Sequence, residues 1–356
     1  MRELALLFLR LGLTAFGGPA AHIALMHQEV VARRNWLTPQ EFLDLSAATN
    51  LIPGPNSTEL AIFIGQKLHG ARGLIVSGAC FILPSALIVG ALAWLYVRFG
   101  TTPQAAGILY GIKPVMMAVI AQALWSLGRQ VLDGAWPVAV FAGCALAVWL
   151  GVNELLTLLF AGAISLVRGL RFRAAVLPSV GLLPLFLFFL KVGSVLFGSG
   201  YVLLAFLRAD LVERWGWLTE AQLLEAVSVG QFTPGPVLTT ATFIGYVLAG
   251  APGAIVATIG IFLPAFCFVA LSGPVIARLA GSAYGRAFLD GLNVASLALM
   301  AVVSVQLGRT AMVDWVAVVI AAVSFYLVFH GRMNSAWLVL GGAVIGALRH
   351  AYLPRT

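Results

Sequence analysis

Two Pro-Gly-Pro triplets, Pro53-Gly54-Pro55 and Pro234-Gly235-Pro236, interrupt apolar sequence 181 positions apart (234 − 53 = 181). Neither triplet fits inside a continuous helix, because each proline removes a backbone donor and its ring clashes with the preceding turn. Asn56, Ser57, Thr58 and Glu59 follow the first triplet; Val237, Leu238, Thr239 and Thr240 follow the second. A helix restarting at such a point presents unpaired N–H groups and the positive end of its dipole, which together favour an anion. The amides and hydroxyls of Asn56, Ser57 and Thr58 could replace the water around a tetrahedral oxyanion without placing a full positive charge in an apolar segment. The second turn keeps two hydroxyls, Thr239 and Thr240, but lacks the asparagine. Asn50 stands just before the first break, and Gln231 with Thr233 before the second. These side chains either bind a ligand or only satisfy carbonyls that the prolines set free.

The charged residues nearby carry a similar choice. Glu59, one residue past the polar turn, is either a proton carrier for a coupled process or a cap on the helix start. Asp44 and Glu225 occupy equivalent places on the rising segments and either titrate or sit solvated in a vestibule. Lys113 either draws a dianion inward or snorkels to the interface from the start of its span. Arg129 and Arg309 close their spans as interface anchors. His22 and His27 are five apart, off one helical face, and no metal site is expected there. Cys80, Cys144 and Cys267 read as packed thiols. No cofactor is expected, and no catalytic group, nucleotide-binding glycine loop or nucleic-acid motif stands out, so the chain reads as neither an enzyme nor a nucleic-acid binder.

The surroundings are oily. Of 356 residues, 61% are hydrophobic and only 10% charged, and the mean hydropathy of +1.00 exceeds what a soluble fold of this length needs. The chain therefore reads as an all-α polytopic membrane protein in contact with the lipid bilayer. Apolar segments recur at 75–97, 107–127, 136–150, 182–207, 253–276, 296–307, 315–329 and 336–348, several shorter than the ~20 residues of a straight span. Broken, tilted or re-entrant helices follow. The N-terminal stretch imitates a secretion signal, but Arg10 interrupts it and the segment is repeated later, so it is read as mature structure. The net charge of +8 fits basic cytoplasmic loops.

The chain contains itself twice. An offset of 181 aligns Phe16-Gly17 with Phe197-Gly198, Trp36-Leu37-Thr38 with Trp217-Leu218-Thr219, and the two triplets; past the triplets it becomes 180, aligning Leu83-Pro84 with Leu263-Pro264 and Arg129 with Arg309. Two homologous halves, 1–174 and 175–356, are expected. Each contains a capping signature, Thr38 with Glu41 and Thr219 with Gln222, and an interfacial tryptophan. Each also has an earlier break, Phe16-Gly17-Gly18-Pro19 and Phe197-Gly198-Ser199-Gly200. Paired interruptions in two repeats point to a secondary transporter's binding site. The basic linker Arg168, Arg171, Arg173 and the Lys67–Arg72 loop, against an uncharged counterpart in the second half, favour inverted repeats.

The duplicated FGG…WLT…PGP pattern, with Leu-Pro closing the next helix, resembles the chromate ion transporter family over essentially the whole chain. The resemblance implies a multi-pass bacterial inner-membrane transporter that exports chromate and gives chromate resistance. Its hallmark positions fall on Phe16, Gly17, Gly18, Pro53, Gly54 and Pro55, and on Phe197, Gly198, Pro234, Gly235 and Pro236. Ser199 in the register of Gly18 departs from the pattern and puts binding at the second break in question. Sulfate shares chromate's charge and shape, so a general oxyanion carrier, or an anion channel, is the alternative. The chain would work as a monomer or a homodimer.

Overall fold

The computed structural model describes residues 1–16, 18–49, 52–100, 102–132, 134–150, 152, 157, 181–196, 203–280, 283–330 and 335–352. The expected boundary between the halves, its arginine linker, and Gly17, Asn50, Phe197 and Gly198 lie outside these residues. Among the described residues every regular element is helical, as lipid demands of a backbone that must satisfy its own polar groups.

The first half begins with α1 (Arg2–Thr14) and α2 (Gly18–His27), which runs into a π-helical segment, Gln28–Arg33. Arg10 of α1 pairs with Glu29 at 2.7 Å, and Met26 and Val30 bury against Leu7 and Phe8. The chain therefore folds back after the first break. Next comes α3 (Pro39–Thr49), begun by the expected reciprocal cap: Thr38 N–H donates to Glu41 at 2.9 Å and Glu41 N–H to the Thr38 hydroxyl at 3.2 Å. Leu37 and Phe42 share one buried cluster beneath it. The exposed Glu41 carboxyl is held below its usual pKa, first by the Thr38 amide and then by the Thr38 hydroxyl and Lys67.

After the Pro-Gly-Pro break, α4 (Asn56–Phe99) is one hydrogen-bonded run but two rods. His69 (φ −141°) and Gly70 (φ +60°) leave helical geometry, and the doubling back is so tight that a Cβ on Gly65 would sit 2.3 Å from the Gly73 carbonyl oxygen. Lys67, near the end of the outgoing arm, reaches Glu41 at 3.3 Å. The segment thus returns to the level where α3 began, and the triplet is the tip of a re-entrant hairpin. The arm 71–99 is long enough, at ~1.5 Å per residue, to traverse a ~30 Å hydrocarbon core. Leu83-Pro84 does not close it: the helix continues through Pro84 to Phe99, since neighbouring helices tolerate a proline's missing donor in lipid.

Long α5 (Pro103–Val131) and shorter α6 (Ala135–Trp149) complete the first half as described. Lys113 does not start its span. Ten residues of α5 precede it, about 15 Å of helix at ~1.5 Å each, so it lies well inside the segment rather than at an end.

The second half repeats these devices: α7 (Leu182–Val195), α8 (Leu203–Leu207), a π-helical segment Arg208–Arg214, α9 (Glu220–Phe232), a 3₁₀ turn Val237–Thr239, α10 (Thr240–Ala280), α11 (Ala283–Ala311), α12 (Trp315–Phe329) and α13 (Ser335–Tyr352). The Thr219–Gln222 cap forms in both directions. Ala249 (φ −146°) and Gly250 (φ +61°) bend α10 at the register of His69 and Gly70 (249 − 69 = 180). Pro264 likewise lies inside α10 rather than at its end. Asp210 pairs with Lys191 at 2.8 Å and Arg214 at 3.0 Å, matching Glu29 with Arg10 and Arg33 at the constant offset of 181.

The order of contacts relates one arm of α4 to the start of α10. Ser85, the region of Gly90, and Tyr96 follow one another along the returning arm of α4 and meet Thr239, Thr242 and Phe243 in that order. The outgoing part of α10 thus runs with this arm, while its counterpart 56–68 runs against it. Elsewhere α5 and α13 cross through Gly107-x-x-x-Gly111 and Gly342-x-x-x-Gly346, where a Cβ on Gly111 would lie 1.8 Å from the Gly342 carbonyl oxygen. Small residues of this kind let helix backbones approach in lipid.

Three of the described helices are long and apolar enough to cross a membrane. Large apolar side chains such as Leu87, Leu271, Trp315 and Trp337 are mostly exposed, which fits a surface solvated by acyl chains. This is a helical membrane protein.

Candidate functional site

The tips of the two re-entrant hairpins are held by the opposite halves. Gly54 N–H donates to the Leu196 carbonyl at 2.6 Å, and Gly235 N–H donates to the Ala15 carbonyl at 2.9 Å. Ala15 follows the end of α1 and Leu196 the end of α7, and both pairs stand 181 apart. Each break therefore supplies the acceptor that its counterpart's triplet needs. Both glycines have positive φ, +147° at Gly54 and +89° at Gly235, which only glycine adopts freely.

A third connection closes the circuit. The buried ring of His22 on α2 has Nε2 3.0 Å from the Ala15 carbonyl and Nδ1 3.3 Å from Ser57 Oγ. A carbonyl can only accept, so Nε2 carries the proton, and in the neutral ring Nδ1 accepts from the Ser57 hydroxyl. Ala15 O thus joins Gly235 of the second triplet to Ser57 just past the first. Sequence spacing offers His22 only as a metal ligand. Its counterpart position is Leu203, so the repeat pattern gave no signal for it. Among the described residues no group of three His, Cys, Asp or Glu side chains comes together as a metal cage; His27 instead packs edge-on against Phe42.

The polar turns of the two halves differ. Thr58 and Glu59 amides both donate to the Pro55 carbonyl, at 2.8 and 3.0 Å, so the unpaired amides expected at this helix start do not include theirs. Asn56 and Ser57 open the helix ahead of them. Thr58 and Glu59 are completely buried, and among the described residues neither the Thr58 hydroxyl nor either Glu59 carboxyl oxygen has a hydrogen-bond partner. The carboxyl folds back over the tip: a Cβ on Gly54 would stand 2.1 Å from Glu59 Oε1. In the second half the hydroxyls are occupied. Thr239 donates to Pro236 O and Thr240 to Val237 O, each at 2.8 Å, and Thr233 to Val229 O at 2.9 Å. Thr239's only hydrogen being spent, Ser85 of α4 donates to Thr239 Oγ1 at 3.0 Å.

Around these groups Pro55, Pro234 and Pro236 are buried, while Phe16, Pro53 and Gln231 are half-buried; Gly18 opens α2. Lys113 is not at the tips. It pairs with Glu225 of α9 at 2.7 Å, seven residues before the end of that helix, or about 10 Å along its axis. Asp44, the counterpart of Glu225, is exposed and accepts from Gln40 at 2.9 Å.

Comparison with known proteins bears on the whole chain. The sequence pattern described as "Chromate transporter" matches residues 2–166 and again 183–347. The chain belongs to the chromate transporter family. Members similar to it include the chromate transport protein of Cupriavidus metallidurans, 31% identical over 99% of this chain and 94% of that protein. A probable chromate transport protein of Synechococcus elongatus is also 31% identical, over 88% of this chain and 86% of its own length. The chromate transport protein of Pseudomonas aeruginosa is 28% identical over 96% and 90%. No solved structure matches. The double match of the family pattern starts 181 residues apart (183 − 2 = 181), the same offset that relates the two chromate transporter triplets.

Proposed function

We propose that this protein is a secondary transporter that carries chromate, or a similar tetrahedral dianion, out across the bacterial inner membrane and so confers chromate resistance. The halves 1–174 and 175–356 act as inverted repeats in this reading, and their four breaks meet near the bilayer midplane as one set of helices rocks against the other. The observation that carries it is the reciprocal bonding of the triplets, Gly54 to Leu196 and Gly235 to Ala15. It ties both tips into one place with partly unsatisfied polar groups beside it. The Thr58 hydroxyl of the first half supplies a donor there, with the amide of Ser57 and the side chain of Asn56 beside it, and the Thr239 and Thr240 turn supplies the facing wall.

An inward-negative potential drives a dianion outward, each elementary charge moved being worth ~2.3 kcal/mol per 100 mV. Export is then downhill without a coupled ion. Glu59 adds a second control: as a carboxylate it repels a neighbouring dianion, and once protonated it becomes a donor. The test is uptake of radiolabelled chromate into inside-out vesicles or proteoliposomes under an imposed potential, with sulfate as competitor. Saturable uptake that resists sulfate supports a chromate exporter. Equal competition by sulfate makes it a general oxyanion carrier, flux that never saturates makes it a channel, and no uptake overturns the reading.

A further inference from the structure

A cavity of about 310 Å³ lies between the end of α4, α5, α9 and α11, lined by Tyr96, Tyr110, Lys113, Glu225 and Thr310. Its volume would hold roughly ten waters at ~30 Å³ each, ample for one tetrahedral dianion with part of its hydration. Lys113 Nζ stands 2.7 Å from Glu225 Oε1, and the Tyr96 hydroxyl donates to Glu225 Oε2. The carboxylate is nearly buried, its side chain 8% exposed, whereas the lysine's is 20% exposed. One of the ammonium's three protons meets Glu225, so two remain for another acceptor in the cavity. The neighbouring ionic groups are already matched: Asp314 takes the Tyr110 hydroxyl and, at 2.8 Å, the Arg349 guanidinium.

A partly buried ion pair adds little to stability once desolvation is counted, and this pair is not a repeated structural device. The counterparts of Lys113 and Glu225 are Asn293 and Asp44 (113 + 180; 225 − 181), so the pairing of this cation with this acid is not repeated in the other half. The cavity opens beside α9, about 10 Å along that helix from the second break.

We propose that this cavity is the docking vestibule for the tetrahedral dianion, with Lys113 its ligand and Glu225 a counter-ion that holds the lysine until the anion displaces it. This rests on the oxyanion-carrier reading. At equal distance a dianion attracts the ammonium twice as strongly as a carboxylate does, while Glu225 repels the anion, so the carboxylate weakens the site it helps to position. The second break then lies one short step further along the same helix.

The two partners have opposite predicted effects. Chromate uptake is measured in proteoliposomes holding wild type, Lys113→Gln, Lys113→Arg, Glu225→Gln and the Lys113→Gln/Glu225→Gln double variant, with thermal unfolding of each purified protein alongside. Loss of a charge-assisted contact raises KM roughly tenfold to a hundredfold in Lys113→Gln, and Lys113→Arg recovers most of it. Glu225→Gln keeps an acceptor for Tyr96 yet no longer competes, so its KM falls, and the double variant resembles Lys113→Gln. KM values that rise alike in both single variants, together with lower unfolding temperatures, make the pair structural and overturn the proposal; so do values that do not change. Absence of wild-type chromate flux overturns the carrier reading itself, whereas wild-type flux with either of those patterns overturns the vestibule alone.

Discussion

Replacing Gly235 by alanine puts a methyl group where the second hairpin tip has no room for one. The added Cβ would lie 2.7 Å from Ser85 Cβ and 3.1 Å from the Gly12 carbonyl oxygen, on a residue whose φ is +89°. The backbone region costs a non-glycine residue ~1–2 kcal/mol, and overfilling a packed site adds ~1–3 kcal/mol. Together these reach about 2–5 kcal/mol, below the ~5–15 kcal/mol that keeps a typical protein folded. If the strain falls on the arrangement that transports, flux drops between about thirtyfold and a few thousandfold at ~1.36 kcal/mol per decade. Gly54→Ala should be milder although its nominal contact, 2.1 Å, is shorter. The atom it meets is the end of the Glu59 side chain, which can swing aside, whereas Ser85 Cβ and the Gly12 carbonyl are fixed to helix backbones. Gly70→Ala is the control, with φ +60° and nothing within 4 Å of the added methyl. Initial rates of chromate uptake, normalised to inserted protein and compared with circular-dichroism melts, give the ranking. Normal flux in Gly235→Ala, or equal loss in Gly70→Ala, would refute the reasoning that the tip's packing governs transport.

Further outcomes can be checked with the same preparation. Glu59→Gln keeps a donor beside the tip but cannot ionise, so potential-driven uptake persists and its dependence on an imposed pH gradient disappears; a retained dependence removes Glu59 from the coupling. His22→Phe cuts the link between Ala15 and Ser57; the Ala15 carbonyl keeps the Gly235 amide, but the buried Ser57 hydroxyl loses its acceptor, a cost of ~1–3 kcal/mol read as a lower unfolding temperature and at least severalfold slower uptake. Single cysteines in place of Glu41 and Lys67 label from the same side of sealed vesicles, and a disulfide forms between them in the double variant; labelling from opposite sides would mean that the hairpin crosses. Asp314 caps α12 through the Ala317 amide at 2.9 Å. Burial pushes its pKa up, but the Tyr110 hydroxyl, the Ala317 amide and Arg349 outweigh that and hold it below 3.8. Its folded-state pKa being depressed, its stabilisation is present above the unfolded value and fades as pH falls through the folded one, so acid melts flatten in Asp314→Ala, which at neutral pH loses about 1 kcal/mol of cap.

Much of the architecture was legible in the residues because it is local and repeated. Thr38 with Glu41 and Thr219 with Gln222 announce helix starts within four residues, and the prolines of the triplets dictate a break whatever surrounds them. The doubling back at His69-Gly70 was less visible, since a Gly in a basic loop does not say whether the following helix crosses or returns; the Lys67–Glu41 contact decides that. Leu83-Pro84 misled for the opposite reason, because a proline's cost inside a helix depends on neighbours that sequence spacing does not reveal. Lys113 misled by its position in an apolar window that began later than the helix does. His22 escaped because its role depends on Ala15 and Ser57, which lie on other segments. The acids Glu29 and Asp210 could have been found: Arg10, Glu29 and Arg33 align with Lys191, Asp210 and Arg214 at one offset, but that pattern resides in charge, not in residue identity.

The exchange of tip bonds also constrains how such a chain could have arisen. Among the described residues each triplet's N–H is satisfied by a carbonyl of the other repeat, so one repeat on its own would bury an unpaired donor at its tip, a penalty of ~1–3 kcal/mol. On the inverted-repeat reading proposed above, an ancestor of half this length would have had to assemble as two copies inserted in opposite orientations, each lending the other its acceptor. Fusion into a single chain would have fixed that orientation, and left Lys113 and His22 free to become features of one half alone.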